Sequence, residues 1–260
     1  MRAPVVVLRR AKTTFVPGTS RPVPRGVSMS WLRSTAVETL ARRGLALRRH
    51  PGARRQRILA AAGVDLVVDV GAARGGFARE VRSFGYTGRL VSFEPLAAAY
   101  ADLAAAAADD PAWDVRNRAL GSSPGEAEIN VASNSDSSSL LPMDERHVAA
   151  APEVGYVATE TITVARLDDE LADDPAHRPF LKLDTQGFER EVLAGGPTML
   201  ERAVGLQLEL SFVPLYSGGM LVDEAVSFAY DHGFTMAAID AGFSDPSGRL
   251  LQADGVFVRT

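Results

Sequence analysis

The chain has 260 residues, 46% of them hydrophobic, and a formal net charge of −4 at pH 7. This length and apolar content are enough for one large α/β core, and the lack of any apolar run of about 18 residues excludes a membrane span. The sequence contains no cysteine, which excludes disulfides, thiolate catalysis and cysteine-ligated metal sites and is typical of a cytoplasmic protein.

Positive charge is concentrated near the N-terminus. Residues 1–60 contain 14 of the 28 lysines and arginines but only one acid, Glu38. We expect residues 1–28, which are also rich in proline, to form a solvated, disordered leader, and residues 29–62 to form an N-terminal helical segment. A basic arm could alternatively engage a polyanion such as nucleic acid or an anionic membrane. Residues 63–260 are predicted to form one α/β domain.

The stretch from Val64 to Phe77 predicts a strand, a glycine turn and a helix. Its apolar run ends at Val70, is too short for a helix and is rich in β-branched residues, which is typical of a strand buried on both faces of a parallel sheet. Gly71, Gly75 and Gly76 then allow the backbone to come close to a ligand, before a helix over 74–84. This pattern indicates a nucleotide site at the carboxyl end of the first strand.

The spacing within this turn distinguishes two cofactors. A dinucleotide motif has a second glycine two residues after the first, where this sequence has Ala73, and Asp69 instead lies two residues before Gly71. A carboxylate here would repel a diphosphate but suits a ligand with an ammonium group, so the pattern favours S-adenosylmethionine over NAD. Glu94, which follows a second strand over 89–93, is placed to accept hydrogen bonds from the ribose hydroxyls of either cofactor.

The next elements lead to the adenine end of the predicted site. A helix over 96–108 precedes a third strand over 113–119, and we expect the adenine to lie along 117–120. Asn117 is a candidate amide partner for the base, or a strand-end cap, and Ala119 lies beside it. After a half-exposed strand over 126–132, the small polar residues 133–139 form either a flexible loop or a lid that offers hydroxyl groups to a ligand.

The second half of the chain contains another apolar strand that ends in an acid, as the first strand does. Further strands are predicted over 159–164, 180–184, 205–210, 234–239 and 254–259. The last is antiparallel because its connection is too short for a parallel crossover. Since parallel strands end at one edge of a sheet, Asp69, Glu94 and Asp184 should converge there. We therefore predict an α/β fold with a Rossmann-like class I methyltransferase sheet, in which seven mostly parallel strands, the last antiparallel, carry helices on both faces.

Several short motifs between Gly63 and Arg259 resemble one family. Each is weak alone, but they occur in order and without large gaps. They are Asp69-Val-Gly-Ala72 with Gly75 and Phe77, Ser92-Phe-Glu-Pro95, Ala119-Leu-Gly121, Ser137-Ser-Ser-Leu140, Arg166-Leu-Asp168, Phe180 to Glu189, Val192-Leu193 and Leu208 to Ser211. The ordered set resembles the FkbM-type S-adenosylmethionine-dependent methyltransferases.

The resemblance implies a class I methyltransferase that moves a methyl group from S-adenosylmethionine to an oxygen of a sugar, polyketide or related metabolite. It assigns the methionine part of the cofactor to Asp69, Gly71 and Gly75, with Phe77 in the same motif. It assigns the ribose to Glu94. The expected partner is accordingly a small-molecule or glycan acceptor.

This sequence departs from the family pattern at two positions beside the glycine turn. Ala73 stands where the family commonly has Asn, and Gly76 stands where a Gln often precedes the Phe. Both changes remove side-chain hydrogen bonds near the cofactor but leave the backbone cradle. They favour an alternative hypothesis, a non-catalytic binding module whose basic N-terminal arm engages a polyanion. The acidic remainder of the chain and the absence of an Asn-Pro-Pro-Tyr-type motif argue against a nucleic-acid methyltransferase.

Methyl transfer to an alcohol needs a group that takes the hydroxyl proton. Asp184 is the first candidate, as a base or as an acceptor that orients the hydroxyl, although it could instead position the cofactor or cap a helix. His147 is the second, because histidine titrates near neutral pH, although a lone histidine in a polar loop is more often a surface residue. Asp184, Glu189 and Glu209 offer the oxygen ligands that Mg²⁺ prefers, so a magnesium ion is compatible with the sequence but is not assigned.

Overall fold

A computed structural model of the chain describes residues 38–45 and 49–259. The chain divides into two units, residues 1–48 and residues 49–260. In the first unit residues 38–42 are helical, whereas the predicted leader (1–28) and residues 29–37 and 46–48 of the predicted helical segment lie outside the described residues. None of the helices that the structure describes is long and apolar enough to cross a membrane.

The second unit alternates strands and helices. Its strands are β1 (Leu66–Val70), β2 (Arg89–Phe93), β3 (Trp113–Arg116), β4 (Ala119–Leu120), β5 (Gly125–Ala132), β6 (Tyr156–Ala165), β7 (Pro179–Leu183), β8 (Gly205–Ser211), β9 (Phe234–Ala241) and β10 (Gln252–Arg259). Its helices are α1 (Pro51–Ala61), α2 (Gly76–Ser83), α3 (Ala97–Ala107), α4 (Glu145–Ala150), α5 (Leu167–Glu170), α6 (Glu189–Ala194), α7 (Pro197–Arg202) and α8 (Val222–Asp231). The sequence predicts helices over 166–171, 188–193 and 222–232, near α5, α6 and α8, but none at α4 or α7.

Seven strands form the main sheet, in the order β3-β2-β1-β7-β8-β10-β9. The first five of these pair in parallel, and β10 is antiparallel to both of its neighbours. The predicted sheet of seven mostly parallel strands, with the last one antiparallel, is confirmed. Because β1 lies between β2 and β7, the residues that follow these three strands meet at one edge, which we call the carboxyl rim (Gly71, Glu94 and Asp184).

Helices cover both faces of the main sheet because alternate residues of β1 point to opposite sides. Val68 belongs to one apolar cluster, together with Val192 of α6. Val67 belongs to another, together with Leu59 of α1 and Leu103 of α3. Every residue of β1 is buried, as its continuous apolar run predicts for a central parallel strand.

Helix α1 packs on the face of the sheet that contains Val67, and its first turn is held by specific contacts. His50 Nδ1 accepts a hydrogen bond from the Gly52 N–H at 3.1 Å, and Pro51 occupies the first turn, where its missing N–H costs nothing. A Cβ atom at Gly52 would collide with the Phe84 ring, so the start of α1 packs closely against the end of α2. As a result Arg55, one turn further along α1, is buried.

The predicted third strand over 113–119 is divided between two sheets. The Arg118 N–H donates to the Arg116 carbonyl at 3.1 Å, a local bond that ends β3. The next residues, Ala119 and Leu120, form β4 and pair with β6 in a separate sheet of order β4-β6-β5. The prediction of one continuous strand was therefore wrong, because a single turn redirects the chain.

The two alternating segments pair with each other in this second sheet. β5 and β6 run antiparallel, with Glu128 opposite Thr161. Ile129 and Ile162 lie in one buried cluster with Leu96 at the start of α3. The alternation of polar and apolar residues in the sequence thus reflects a sheet with one packed and one exposed face.

Candidate active site

The carboxyl rim is shaped by a tight turn after β1. Gly71 has φ of +73°, a conformation that glycine adopts without steric cost. A Cβ atom at this position would collide with the Asp184 carbonyl oxygen, so the turn lies directly against the end of β7. The N–H groups of Gly71 and Ala72 both donate to the Phe93 carbonyl, at 3.1 and 3.0 Å. The turn is thereby tied to the end of β2 as well.

A pocket of about 520 Å³ opens at this rim. Gly71, Glu94 and Asp184 line it together, so two of the three carboxylates predicted to converge share one space. Its apolar lining includes Leu96, Ala119, Leu120, Ile129, Leu140 and Phe188. Its polar lining includes Arg55, Lys182, Gln207 and Asp254.

Glu94 is held by backbone groups on both sides of the rim. Its Oε2 accepts a hydrogen bond from the Ala73 N–H at 2.8 Å, and its Oε1 accepts one from the Leu96 N–H at 2.9 Å. Burial raises the pKa of Glu94 from 4.5 to about 7, although these two hydrogen bonds oppose the rise. Each carboxylate oxygen has a second lone pair. Glu94 can therefore accept hydrogen bonds from two hydroxyl groups in the pocket.

Asp69 lies beneath the rim and does not line the pocket. It is 0% exposed. Lys182, its direct neighbour on β7, places Nζ 2.9 Å from Asp69 Oδ1. The same ammonium donates to the Gly71 carbonyl at 2.9 Å. Asp69 thus supports the glycine turn through Lys182, a role that the sequence did not indicate.

Asp184 is open to the pocket, with 36% of its side chain exposed. Its Oδ1 accepts a hydrogen bond from Gln186 Nε2 at 2.8 Å, and that amide nitrogen also lies 3.3 Å from Glu209 Oε2. The Tyr216 hydroxyl donates to Gln186 Oε1 at 2.6 Å, which fixes the orientation of the amide. Gln186 therefore bridges two carboxylates and holds Asp184 in place.

Acidic residues continue from Asp184 across the neighbouring strands. Glu209 of β8 is directly opposite Asp254 of β10, which in turn is opposite Asp240 of β9. Burial, followed by the charge of Asp184, raises the pKa of both Glu209 and Asp254. Because Asp254 lines the pocket, the polar lining of the pocket contains a carboxyl group that retains its proton to higher pH than it would in water.

The glycines that follow the turn face different surroundings. Gly75 does not line the pocket, because a Cβ atom there would meet Trp113 and Leu103 of the core. Gly76 lines the pocket instead, and space is open beside it. Phe77 also lines the pocket. Ala73 and Gly76, the two departures from the family pattern, both line the pocket without a polar side chain, and the Ala73 N–H donates to Glu94.

The residues predicted for the adenine are only partly in the pocket. Ala119 lines it. Asn117 does not line it, and its Nδ2 donates to the carbonyls of Glu94 and Pro95, both at 2.9 Å. Asn117 thus fixes the loop after β2, in agreement with the alternative of a strand-end cap.

His147 lies in α4 and is 5% exposed. Its ring meets the Tyr216 ring edge-on at 5.2 Å and lies 5.7 Å from the Phe243 ring. Burial lowers its pKa, and its Nδ1 has no hydrogen-bond partner among the described residues. It does not line the pocket. The structure therefore places His147 behind Tyr216, one layer away from Gln186.

The candidate magnesium ligands are engaged in other contacts. Glu189 Oε1 accepts hydrogen bonds from the N–H and hydroxyl of Thr185, at 2.9 and 3.1 Å, and from the Gly187 N–H at 3.2 Å. Across residues 38–45 and 49–259, no group of three or more His, Asp or Glu side chains is arranged to hold a metal ion. The described residues therefore offer no site for the magnesium ion that the sequence left open.

Part of the pocket was not identified from the sequence. Arg55 of α1 donates from Nε to Gln207 Oε1 at 2.9 Å and forms an ion pair with Glu80. Its guanidinium carbon lies 4.9 Å from the centre of the Phe77 ring. A signal for Gln207 was present, since the alternation of Leu with Gln207 and Glu209 in β8 indicates one polar face.

The serine-rich segment forms a wall of the pocket. Ser135, Asp136, Ser138 and Ser139 line it. The Ser139 hydroxyl donates to the Gln186 carbonyl at 2.7 Å. The segment is thus tied through Ser139 to the same turn that holds Asp184, and its role as a lid stays a prediction.

Solved structures match this chain at low identity. Magnesium protoporphyrin IX methyltransferase (ChlM) from Synechocystis PCC 6803, solved with bound SAM, is 11% identical with a TM-score of 0.45, and the match covers 94% of this chain and 87% of that chain. An rRNA methylase from Streptococcus thermophilus is 11% identical with a TM-score of 0.44, covering 82% and 99%. Precorrin-6y C5,15-methyltransferase from Geobacter metallireducens GS-15 is 12% identical with a TM-score of 0.41, covering 79% and 87%.

None of the curated proteins compared with this chain matches it. At the level of families, residues 69–236 match the methyltransferase FkbM domain. The match spans more than half of the chain and contains the three residues of the carboxyl rim. It supports a methyltransferase domain and does not favour the alternative of a non-catalytic module. The chain belongs to the FkbM methyltransferase family.

Proposed function

We propose that this protein transfers a methyl group from S-adenosylmethionine to a hydroxyl oxygen of a small-molecule or glycan acceptor. The observation that carries the proposal is the shared pocket, in which Glu94 at the end of β2 and Asp184 at the end of β7 face one space. Such a transfer requires one group that anchors the nucleoside and another, beyond it, that receives the hydroxyl proton.

The residues of the pocket fit this cofactor. Glu94 would accept hydrogen bonds from both ribose hydroxyls, and the apolar lining around Leu96 and Ala119 would hold the adenine. The Gly71 turn, which has no side chain, leaves room for the methionine part. When bound, the sulfonium group supplies an electrophilic methyl group. Asp184 provides negative charge on the side of the pocket where that positive charge would lie.

Asp184 is the residue that we assign to the acceptor hydroxyl. Gln186 occupies its Oδ1, so Oδ2, which lies 3.6 Å from Lys182 Nζ and accepts no hydrogen bond from it at that distance, is the oxygen that can receive a hydrogen bond from the acceptor. As the acceptor oxygen bonds to the methyl carbon, the sulfur–methyl bond would break and leave the thioether S-adenosylhomocysteine, and the hydroxyl proton would pass to Asp184. General-base assistance of this kind contributes about 10²- to 10⁴-fold to the rate. Alignment of the reactants supplies a further large share of the lowered barrier.

The test combines binding with a product screen. We expect S-adenosylmethionine to bind in calorimetry, and we expect one member of a panel of sugars and polyketides to gain the mass of one methylene group. Asp184→Asn should still bind S-adenosylhomocysteine but lose at least about 100-fold in methyl transfer. Absence of binding at millimolar cofactor would remove the proposed function. Full activity of Asp184→Asn would leave the family assignment intact but contradict the role of Asp184.

A further inference from the structure

Three neighbouring side chains beneath and at the carboxyl rim are charged, with Lys182 between Asp69 and Asp184. Lys182 Nζ is 2.9 Å from Asp69 Oδ1 and 3.6 Å from Asp184 Oδ2. Asp69 is fully buried, whereas Asp184 opens to the pocket. Neither Asp69 oxygen has a hydrogen bond in the described part of the chain, so its ion pair with Lys182 is what compensates its charge.

The position of Lys182 is set by strand pairing and by a hydrogen bond to the backbone. Lys182 is opposite Asp69 in the register of β7 and β1, and its ammonium donates to the Gly71 carbonyl at 2.9 Å. Burial alone lowers the pKa of Lys182, but the charges of Asp69 and Asp184 outweigh burial and raise it. The ammonium is therefore charged, and it is closer to the buried acid than to the exposed one.

The net charge of these three groups affects whether the pocket binds the methyl donor or its product more tightly. Two carboxylates and one ammonium leave one negative charge, and the exposed Asp184 carries it. S-adenosylmethionine has a net positive charge at neutral pH, whereas its product, S-adenosylhomocysteine, has lost the sulfonium charge. The binding preference between the two ligands should therefore depend on how far Lys182 compensates Asp184.

We propose that Asp69 is a positioning residue that does not touch the cofactor: it holds the Lys182 ammonium away from Asp184 and so preserves the pocket's preference for the cationic S-adenosylmethionine over the product, which has no net charge. This inference rests on the proposed function. It differs from the sequence-based expectation, in which Asp69 contacts the methionine part directly.

The experiment measures dissociation constants of the full chain for both ligands by calorimetry, and its readout is the ratio of the two constants. In Asp69→Asn the ammonium is released toward Asp184, and we expect the ratio to move about tenfold against S-adenosylmethionine. In Lys182→Met the compensating charge is lost, and the ratio should move the opposite way. The double variant Asp69→Asn/Lys182→Met keeps Asp184 uncompensated, so its ratio should stay within about threefold of the unmodified protein.

Opposite shifts from two residues in contact are a result that a purely structural role would not produce, because loss of structure weakens both ligands alike. A matched control is Asp110→Asn, which removes an ion pair with Arg82 (2.7 Å) away from the pocket. It should leave the ratio unchanged. Thermal unfolding followed by circular dichroism shows which variants are folded.

Three results would overturn the proposal. They are a ratio that is unchanged in Asp69→Asn, shifts of the same sign in both single variants, and a double variant with the same shift as Asp69→Asn. Should Asp69→Asn not fold, the comparison of Lys182→Met with the double variant decides: Lys182→Met must favour S-adenosylmethionine more strongly than the double variant does, and equal ratios in these two variants would overturn the proposal. Failure of the unmodified protein to bind either ligand would instead remove the proposed function.

Discussion

Glu94 is the residue on which cofactor affinity should depend most strongly. Its carboxylate lines the pocket and is held at both oxygens by backbone N–H groups. Because hydrogen bonds to a charged group contribute about 1.5–3 kcal/mol, Glu94→Gln should weaken S-adenosylmethionine binding by about 10- to 100-fold in calorimetry.

A matched control for this variant is available in β6, beside the start of α3. Glu160 also accepts a backbone N–H, that of Ala97 at 2.9 Å, but it does not line the pocket. Glu160→Gln should therefore leave the dissociation constant within about twofold. Equal losses in the two variants would show that Glu94 acts through the loop and not through the ribose.

Gly71 is the second residue whose replacement has a specific consequence. Alanine there would have to adopt φ of +73° and would collide with the Asp184 carbonyl. Strain and overpacking together should cost at least about 3 kcal/mol of unfolding free energy, measured by chemical denaturation. Gly76→Ala is the control, since a Cβ atom there meets nothing within 4 Å, and its cost should stay below about 1 kcal/mol. A Gly71→Ala variant as stable as Gly76→Ala would contradict the close approach of the turn to β7.

Among the elements, helix α1 contributes a buried arginine to the pocket from outside the sheet. Its Arg55 is buried between Gln207, Glu80 and the Phe77 ring. Removal of the guanidinium deletes the hydrogen bond to Gln207 Oε1, the ion pair with Glu80 and the packing on Phe77, so Arg55→Ala should cost about 2–3 kcal/mol in chemical denaturation. Arg57→Ala, on the exposed side of α1, should change stability by less than about 0.5 kcal/mol. Similar effects at both positions would mean that α1 contributes only general packing.

The elements predicted correctly are those whose hydrophobic pattern lies within one continuous segment of the chain. The bounds of β2 coincide with the predicted strand over 89–93, and β1 begins two residues later than predicted. The division of 113–119 between two sheets was not predicted, because it depends on one turn and on pairing with β6, which is distant in the chain. Helix α4 is six residues long, too short for a periodicity that could be distinguished from a loop.

In the site, too, residues that directly follow a strand could be predicted, whereas contacts that depend on strand pairing could not. Glu94 and Asp184 could be predicted, since a residue at the carboxyl end of a parallel strand must lie at the rim. The pairing of Asp69 with Lys182 could not, because it depends on the register between β1 and β7, which are distant in the chain. Asp254 was missed for a related reason: β10 is antiparallel, so its first residues, not its last, lie at the rim.

For the whole second unit, strand register arranges charge in two rows across the sheet. The lower row joins Asp69, Lys182 and Gln207 on β1, β7 and β8. The upper row continues from Asp184 through Glu209, Asp254 and Asp240. Helix α1 covers the rows with two arginines, of which Arg54 pairs with Asp240. The fold therefore concentrates more carboxyl groups at one face than it neutralises, and their burial opposes folding when they are ionised.

This arrangement predicts how the stability of the ligand-free protein depends on pH. Burial raises the pKa of Glu94 from 4.5 to about 7. In the intervening range the folded protein binds more protons at this site than the unfolded chain, so the contribution of Glu94 to stability is full below 4.5 and is lost as the pH rises through about 7. The loss amounts to at most about 3 kcal/mol. Chemical denaturation of the unmodified protein and of Glu94→Gln at several pH values isolates this contribution, because the other buried acids titrate in both. Their difference in unfolding free energy should shift in favour of Glu94→Gln as the pH rises, and a difference independent of pH would show that Glu94 is solvated.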